Sequence, residues 1–540
     1  MLGVRLNSDD YQYIASMAPI HSIGDVFRPF VSHDANPSFF RPLANMTMAA
    51  DFLLFGWSGM AFHLTNIFFH LATTVLVFYF VRDIFDLSEK EAFWSALIFG
   101  LAASHEYNLA VDTGRADILV AIFVMLTLLN QKRASRGVLF QAAALLSFAL
   151  ALCSKEIAIV VVPMVFLLAM PWDQWYIIRR TRTVLPYLAL SILFYFYHAH
   201  FTHSELGSQP LSAEGSRSIV AMLRNGAYAL GYTVFPLDLE IATTILTRYW
   251  IPTVLCGGII AALVIWAFAR TVDRHFLLSV WKPLLFSLFT GSILLLTFER
   301  WRVYLPSVGV ISVIVLMVSR TSSKVVQRSL IVLSVAVGIF QVSRGLTAQS
   351  EWRASTALRD DLKTDLAHIL ASIPERPLKL GFIASPSKLG SAAVIQVGQS
   401  ALVERVEADR ISSANHRDGT TTGVQVDSWT AVEAYALDRA QGFRDLRVAQ
   451  IGEHFFQVLV PDSTAIRLYP SGESLNGKAR RDLSWSVGDS VVTPDFVDIV
   501  RRVVSGGIKA IEIHIRDTNA RPVIFDNSQH FKIATNSLLP

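Results

Sequence analysis

Apolar residues fill the first two-thirds of the chain in blocks separated by short polar interruptions, and they thin out after about residue 346. The blocks predict membrane-spanning helices at about 61–82, 93–104, 116–130, 138–153, 157–170, 184–199, 251–269, 276–297, 307–319 and 329–346. Several are shorter than the roughly 20 residues that a lipid-exposed span needs, so the polar groups flanking them must lie within membrane depth. Ahead of the first span, Pro19, Pro29, Pro37 and Pro42 break residues 15–60 into a surface loop with one or two short helices lying along the membrane. Residues 219–236 are apolar too, but a span there would invert the loops that follow. They read as a re-entrant or surface-lying segment.

Beyond the last span the pattern changes. Glu351 to Ile373 is charged and helical in period, a linker helix. The remainder alternates β-rich runs at 378–384, 392–398, 422–427, 455–460, 465–470, 509–515 and 521–525 with turn signals such as Asp418-Gly419 and Ser505-Gly506-Gly507, and one helix is predicted at 494–504. The expected layout is a first extracytoplasmic loop over 1–60, a transmembrane bundle over 61–346, a linker helix over 347–373 and a soluble domain over 374–540. The fold class is therefore mostly α: a polytopic membrane helix bundle of about ten spans with a C-terminal β-rich or α+β domain.

Composition agrees with this reading. Of 540 residues 52% are hydrophobic, and the mean hydropathy is +0.43. A net charge of +4 gives a nucleic-acid partner no electrostatic support. Cys153 and Cys256 fall in apolar helical segments and read as buried thiols rather than a disulfide. Four basic loops alternate with the spans: Lys132, Arg133 and Arg136; Arg179, Arg180 and Arg182; Arg270 and Arg274; and Arg320, Lys324 and Arg328. The positive-inside rule puts all four in the cytoplasm, although the acidic loop 83–92 fits less well. The outer side then holds residues 1–60, 105–115, 154–156, 200–250, 298–306 and everything after 346. An eleventh apolar helix, upstream of Met1, is expected to export the first loop.

The candidate chemistry lies at the outer ends of the spans. A charge at the centre of a span costs on the order of 2.5–3.5 kcal/mol on insertion scales, so such residues are functional candidates. Asp9 and Asp10 are adjacent carboxylates that could deprotonate an acceptor hydroxyl and orient it or a metal, although an ordinary helix N-cap uses the same residue types. His63, Asn66 and His70 share one helix face, a polar seam more often used for packing than for ligation. Arg115, Lys155 and Arg302 are three outer cations suited to a lipid-linked phosphate, with contact to phospholipid head groups as the ordinary alternative.

In order, Phe40-Arg41-Pro42-Leu43, the run Phe62 to His70, the run His105 to Asp117, Ser154-Lys155-Glu156 and Arg302-Val303-Tyr304-Leu305-Pro306-Ser307 resemble the tetratricopeptide-containing transmembrane O-mannosyltransferases and their bacterial relatives. These are GT-C class enzymes, grouped with the protein O-mannosyltransferases. The resemblance covers roughly 7–360 and includes Trp352. It implies an inverting transfer of a sugar, a mannose-like hexose among the candidates, from a polyprenyl-phosphate donor to a protein or glycan acceptor. The transfer would take place at the extracytoplasmic face of a bacterial inner membrane, with or without Mg or Mn. Asp9 and Asp10 match the acceptor-activating pair; Arg41, His105, Arg115, Asp117, Lys155, Glu156 and Arg302 match the other charged motif positions. His63, His70 and Tyr304 lie within the same motifs and join the candidate site. Residues 374–540 carry no tetratricopeptide pattern, so acceptor recognition does not carry over. A transporter of lipid-linked saccharides, or a scaffold of an envelope polysaccharide system, would use the same cations as a path or a docking surface. A transporter also predicts inverted-repeat symmetry, and none is visible.

Overall fold

In the computed structural model the residues described are 10–17, 19–34, 39–168, 176–202, 219–237, 274–296, 298–321 and 323–373. In the C-terminal part they are 378–389, 392–394, 406, 426–436, 442–452, 455–460, 464–468, 474–476, 490–492, 497–503, 509–515, 521–526 and 528–533. The chain divides into two compact units. The first comprises Met1–Leu2, Ser16–Asp238 and Ala242–Thr347; the second comprises Gly3–Ala15, Leu239–Ile241 and Ala348–Pro540.

The first unit is helical. Its helices are α2 (Pro42–Phe55), α3 (Gly59–Asp83), α4 (Glu89–Leu101), α5 (Glu106–Ala110), α6 (Arg115–Arg133), α7 (Val138–Ser154), α8 (Val161–Leu168), α9 (Tyr176–Phe201), α10 (Ile219–Val234), α11 (Arg274–Leu296) and α12 (Ser307–Arg320). The short α1 (Asp10–Ser16) precedes them and α13 (Lys324–Ser372) follows. The described parts of the expected spans fall on helices, and 251–269 lies outside the described residues. Among the described residues five helices are long and apolar enough to cross a membrane: α3, α6 with its continuation to Arg136, α9, α11 and α13. Helix α10, at 16 residues, is short of a span and packs Ala229 and Tyr232 on Leu294 and Val303.

Helix α3 shows why this is a membrane protein. It buries His63, Asn66, His70 and Thr73 and exposes Leu64, Phe68, Leu71 and Val75. In water that arrangement would be inverted; in lipid the apolar face meets acyl chains and polar groups must find partners inside. A core of Val77, Phe80, Phe99, Val124, Phe148, Met164, Phe286 and Leu316 joins α3, α4, α6, α7, α8, α11 and α12.

The acidic loop 83–92 gains a physical reason. Asp83 pairs with Arg82 and Arg133 at 2.7 Å each, Asp86 pairs with Lys132 and Lys282, and Glu91 accepts from Arg320 at 2.9 Å. Its carboxylates are thus neutralised by the basic residues at the same ends of α6, α11 and α12. Glu91 also closes a capping box with Ser88 at the start of α4.

Helix α13 runs unbroken for 49 residues, so the last span and the linker helix are one element. The rest of the second unit is β-rich. A seven-stranded mixed sheet orders β12 (Phe531–Ile533), β11 (Arg521–Phe525), β1 (Leu378–Leu389), β3 (Val426–Ala436), β6 (Thr464–Leu468) and β7 (Ser474–Asn476), with β2 (Ala392–Ala393) paired to β1. Strand β1 runs parallel to both β11 and β3. A five-stranded antiparallel sheet orders β4 (Arg447–Gly452), β5 (Phe455–Val460), β10 (Lys509–Ile515), β9 (Val497–Val503) and β8 (Ser490–Val492).

Strand β9 corrects the helix expected at 494–504. Ile499, Val500 and Val503 fit a helical period, but the segment is rich in β-branched residues. Seven consecutive pairings with β10, Ile499 opposite Ile513 among them, decide for the strand.

Candidate functional site

The polar seam of α3 is the floor of the candidate site. The Asn66 amide donates to the carbonyls of Asn108 and Val111 at 3.4 and 3.3 Å, and its oxygen accepts from Arg115 Nε at 2.7 Å. These bonds pin the loop between α4 and α6 to the first span. Asn108 carries the contact onward by donating to the Trp301 carbonyl at 3.2 Å. Gly114 is required where that loop folds back, because a Cβ there would lie 2.6 Å from Asn108 Cα and 2.8 Å from its carbonyl oxygen.

One turn further along α3, His70 Nε2 lies 3.1 Å from the Gly100 carbonyl, which only accepts, so that nitrogen carries the proton. Nδ1 is then free to accept the Tyr304 hydroxyl at 2.7 Å. Ser307 donates to the Tyr304 carbonyl at 2.7 Å and accepts from His105 Nε2 at 3.0 Å. His70, His105, Tyr304 and Phe99 form one buried ring cluster with centroids 4.5–5.8 Å apart. Burial, reinforced by the neighbouring His70, pushes the His105 imidazole well below its ordinary range, so it is neutral. Burial likewise pushes the Tyr304 phenol up, so it remains a hydrogen-bond donor. This network fixes the segment that carries Arg302.

Above it charged groups from four elements converge. Arg41, the residue before Pro42 opens α2, makes a two-pronged pair with Glu156 at 3.1 and 3.2 Å. Lys155, in the turn after α7, meets both oxygens of Asp117, in the first turn of α6, at 2.7 and 2.6 Å. Arg302, in the 3-10 turn Arg300–Val303, acts electrostatically on the same group, with Glu299, Asp117, Arg41 and Glu156 as its charged neighbours. Burial pulls Lys155 down to about 8 even though Asp117 opposes it, and Arg41 and Arg302 add to the fall. Burial would raise the Glu156 carboxyl, but the Arg41 guanidinium holds it below the usual range.

The C-terminal end of α9 holds the segment that delivers Arg41. The Tyr197 hydroxyl donates to the Phe30 carbonyl, and His33 Nδ1 donates to the Phe201 carbonyl at 2.9 Å. Phe40 stacks on Phe201 at 4.7 Å.

The expected site residues therefore separate into groups. Arg41, Asp117, Lys155, Glu156 and Arg302 come together; His70, His105 and Tyr304 form the layer beneath. Arg115 is fully buried, with Asp51 at 2.6 Å, Phe62 carbonyl at 3.1 Å, Asn66 and Thr47 around its guanidinium. That set fits a structural cation better than one open to a phosphate. His63 is buried on the seam. Asp9 lies outside the described residues, while Asp10 is buried at the start of α1 and belongs to the second unit. Among the described residues no three His, Cys, Asp or Glu side chains stand together as metal ligands would. Two site-facing residues escaped the sequence reading: Asp51, a carboxylate inside an otherwise apolar helix, and His198, a histidine in the last turn of α9. Their common signal is a polar residue in an apolar run.

Comparison with known proteins finds similarity to protein O-mannosyl-transferases. The human protein O-mannosyl-transferase TMTC1 is 30% identical over 94 residues, which is 17% of this chain and 11% of the relative. Human TMTC3 is 30% identical over 107 residues, 20% of this chain and 11% of the relative. The matched stretch thus spans about a tenth of the length of these relatives. ArnT from Cupriavidus metallidurans, a crystal structure in the apo state, aligns over 83% of this chain and 92% of its own, with 14% identity and a TM-score of 0.30. No family model matches the chain.

Proposed function

We propose that this multi-pass membrane protein is a GT-C type glycosyltransferase that moves a sugar from a polyprenyl-phosphate donor to a hydroxyl of a protein or glycan acceptor. The observation that carries the reading is the convergence of Arg41, Lys155 and Arg302 with Asp117 and Glu156 at the ends of helices in an apolar bundle. The similarity to protein O-mannosyl-transferases supports the same class, with mannose as the first sugar to test.

In the proposed reaction the acceptor oxygen attacks the anomeric carbon from the face opposite the phosphate, with inversion. The new bond joins acceptor oxygen to sugar, and the bond between sugar and phosphate oxygen breaks. The electron pair leaves with the phosphate and the hydroxyl proton passes to Asp9 or Asp10. The phosphate gains one negative charge in this step, so cations held close to it stabilise the transition state more than the bound donor. Arg302 and Lys155 are assigned to that phosphate. Lys155 has three N–H donors, so it can take a phosphate oxygen while keeping Asp117. Arg41 and Glu156 frame the sugar side, and Arg115 anchors the floor. A Mg or Mn requirement would be revealed by chelation. The site is assigned to the extracytoplasmic face, of a bacterial inner membrane in the simplest reading.

Donor-phosphate binding tests the assignment. Arg302→Ala is expected to lower transfer by about 10²–10³-fold, since removing one charge-stabilising donor has that order of effect. Arg302→Lys is expected to recover only part of it, because an ammonium cannot take two phosphate oxygens side by side. Unchanged transfer by Arg302→Ala would rule out the phosphate role.

A further inference from the structure

His198 stands at the edge of the charged cluster and takes no part in the assignments above. It is 2% exposed, and its ring lies 6.4 Å from Phe40, the residue beside Arg41. Glu156 and Arg41 both act on it electrostatically. The Thr202 hydroxyl donates back to the His198 carbonyl at 3.0 Å, the usual bond of a Thr to the residue four before it. Its oxygen is therefore left to accept Nδ1–H at 3.2 Å. The proton sits on Nδ1, and Nε2 presents a lone pair. That atom is buried and has no hydrogen-bond partner among the described residues. A buried acceptor left unmade costs about 1–3 kcal/mol, so it is retained where something completes it.

We infer that His198 Nε2 is a sugar-binding acceptor, taking a hydrogen bond from a ring hydroxyl of the donor sugar beside the Arg41–Glu156 pair. The inference rests on the donor reading of the cluster. A sugar joined to the phosphate by one bond must lie within a few ångströms of the cations that hold that phosphate. Among the described residues, the groups at that edge of the cluster able to meet its hydroxyls are Glu156, Arg41 and His198. A neutral imidazole nitrogen accepts from a hydroxyl without a charge to desolvate, so it contributes selectivity for the sugar and nothing to the hold on phosphate.

The test measures binding of three lipids to the full chain in lipid nanodiscs: polyprenyl-phosphate mannose, polyprenyl-phosphate glucose and sugar-free polyprenyl phosphate. The wild-type protein is expected to bind one of the sugar lipids at least tenfold more tightly than the bare lipid. His198→Asn keeps a donor near Thr202 but has no acceptor at the Nε2 position. It is expected to lose that tenfold gain while binding the bare lipid as before. His198→Gln, of matching polarity and with an acceptor at that position, is expected to keep most of the gain. Retention of the full gain by His198→Asn overturns the inference, as does equal binding of all three lipids by the wild type. Arg302→Ala separates the two readings, since it is expected to weaken all three lipids alike. If the wild type binds none of them, the donor reading falls and the inference with it.

Discussion

Arg115 and Lys155 are both buried cations facing a carboxylate, yet they differ in what they can still do. Arg115 meets Asp51, Asn66, Thr47 and the Phe62 carbonyl around its guanidinium, and Asp51 is held in turn by the Thr65 hydroxyl at 3.0 Å. Removing one partner of such a pair leaves a charge unpaired in the interior, at about 3–5 kcal/mol. Arg115→Ala is therefore expected to lower the thermal unfolding temperature strongly, and Asp51→Ala likewise; intact stability with lost donor binding would return Arg115 to the phosphate site. Lys155 differs because its pKa is already drawn down to about 8. A bound phosphate favours the ammonium, so the donor complex holds the proton more tightly than the free site does. Donor affinity should fall as pH rises above about 8, by at most tenfold per unit, and Lys155→Met should flatten the profile. An unchanged profile in the variant would put the titrating group elsewhere. These pairings were only half legible in the sequence. Charged residues in an apolar chain stand out at once, but Arg41 and Glu156 are 115 positions apart, and nothing local to either names the other.

At the scale of elements, short contacts in loops matter as much as the spans. The α4–α6 loop is set by Asn66, Asn108 and Gly114, and a methyl at Gly114 would strike backbone rather than a movable side chain. Gly114→Ala is expected to destabilise by about 1–3 kcal/mol, as overpacking does. It should also weaken donor binding, because Asn108 ties this loop to the segment of Arg302. A fully stable, fully active variant would show that the loop relaxes freely. The spans themselves were legible because length and apolarity carry across any tertiary arrangement. Strand β9 was not, because Ile499, Val500 and Val503 satisfy two periods at once and only pairing with β10 settles the matter. The continuity of α13 was equally hidden: its composition changes from apolar to charged near residue 347 with no Gly or Pro between 346 and 373 to end the helix.

At the scale of the molecule, the first unit exposes apolar faces, buries polar ones and gathers charge at helix ends. Its other end is tied together by the carboxylates of Asp83, Asp86 and Glu91, which absorb the basic loops that orient a membrane protein. The acidic loop 83–92, which fits the positive-inside pattern poorly by itself, is the partner of the basic loops. An apolar bundle whose charged cluster gathers at helix ends suits chemistry on a substrate that is itself half lipid and half sugar. The most direct measurement follows release of free polyprenyl phosphate from radiolabelled polyprenyl-phosphate mannose, using the full chain in lipid nanodiscs with an acceptor peptide or glycan. The account predicts release by the wild type and its loss in Asp9→Asn/Asp10→Asn, with the fold and lipid binding retained. Release that continues undiminished in that double variant would contradict it.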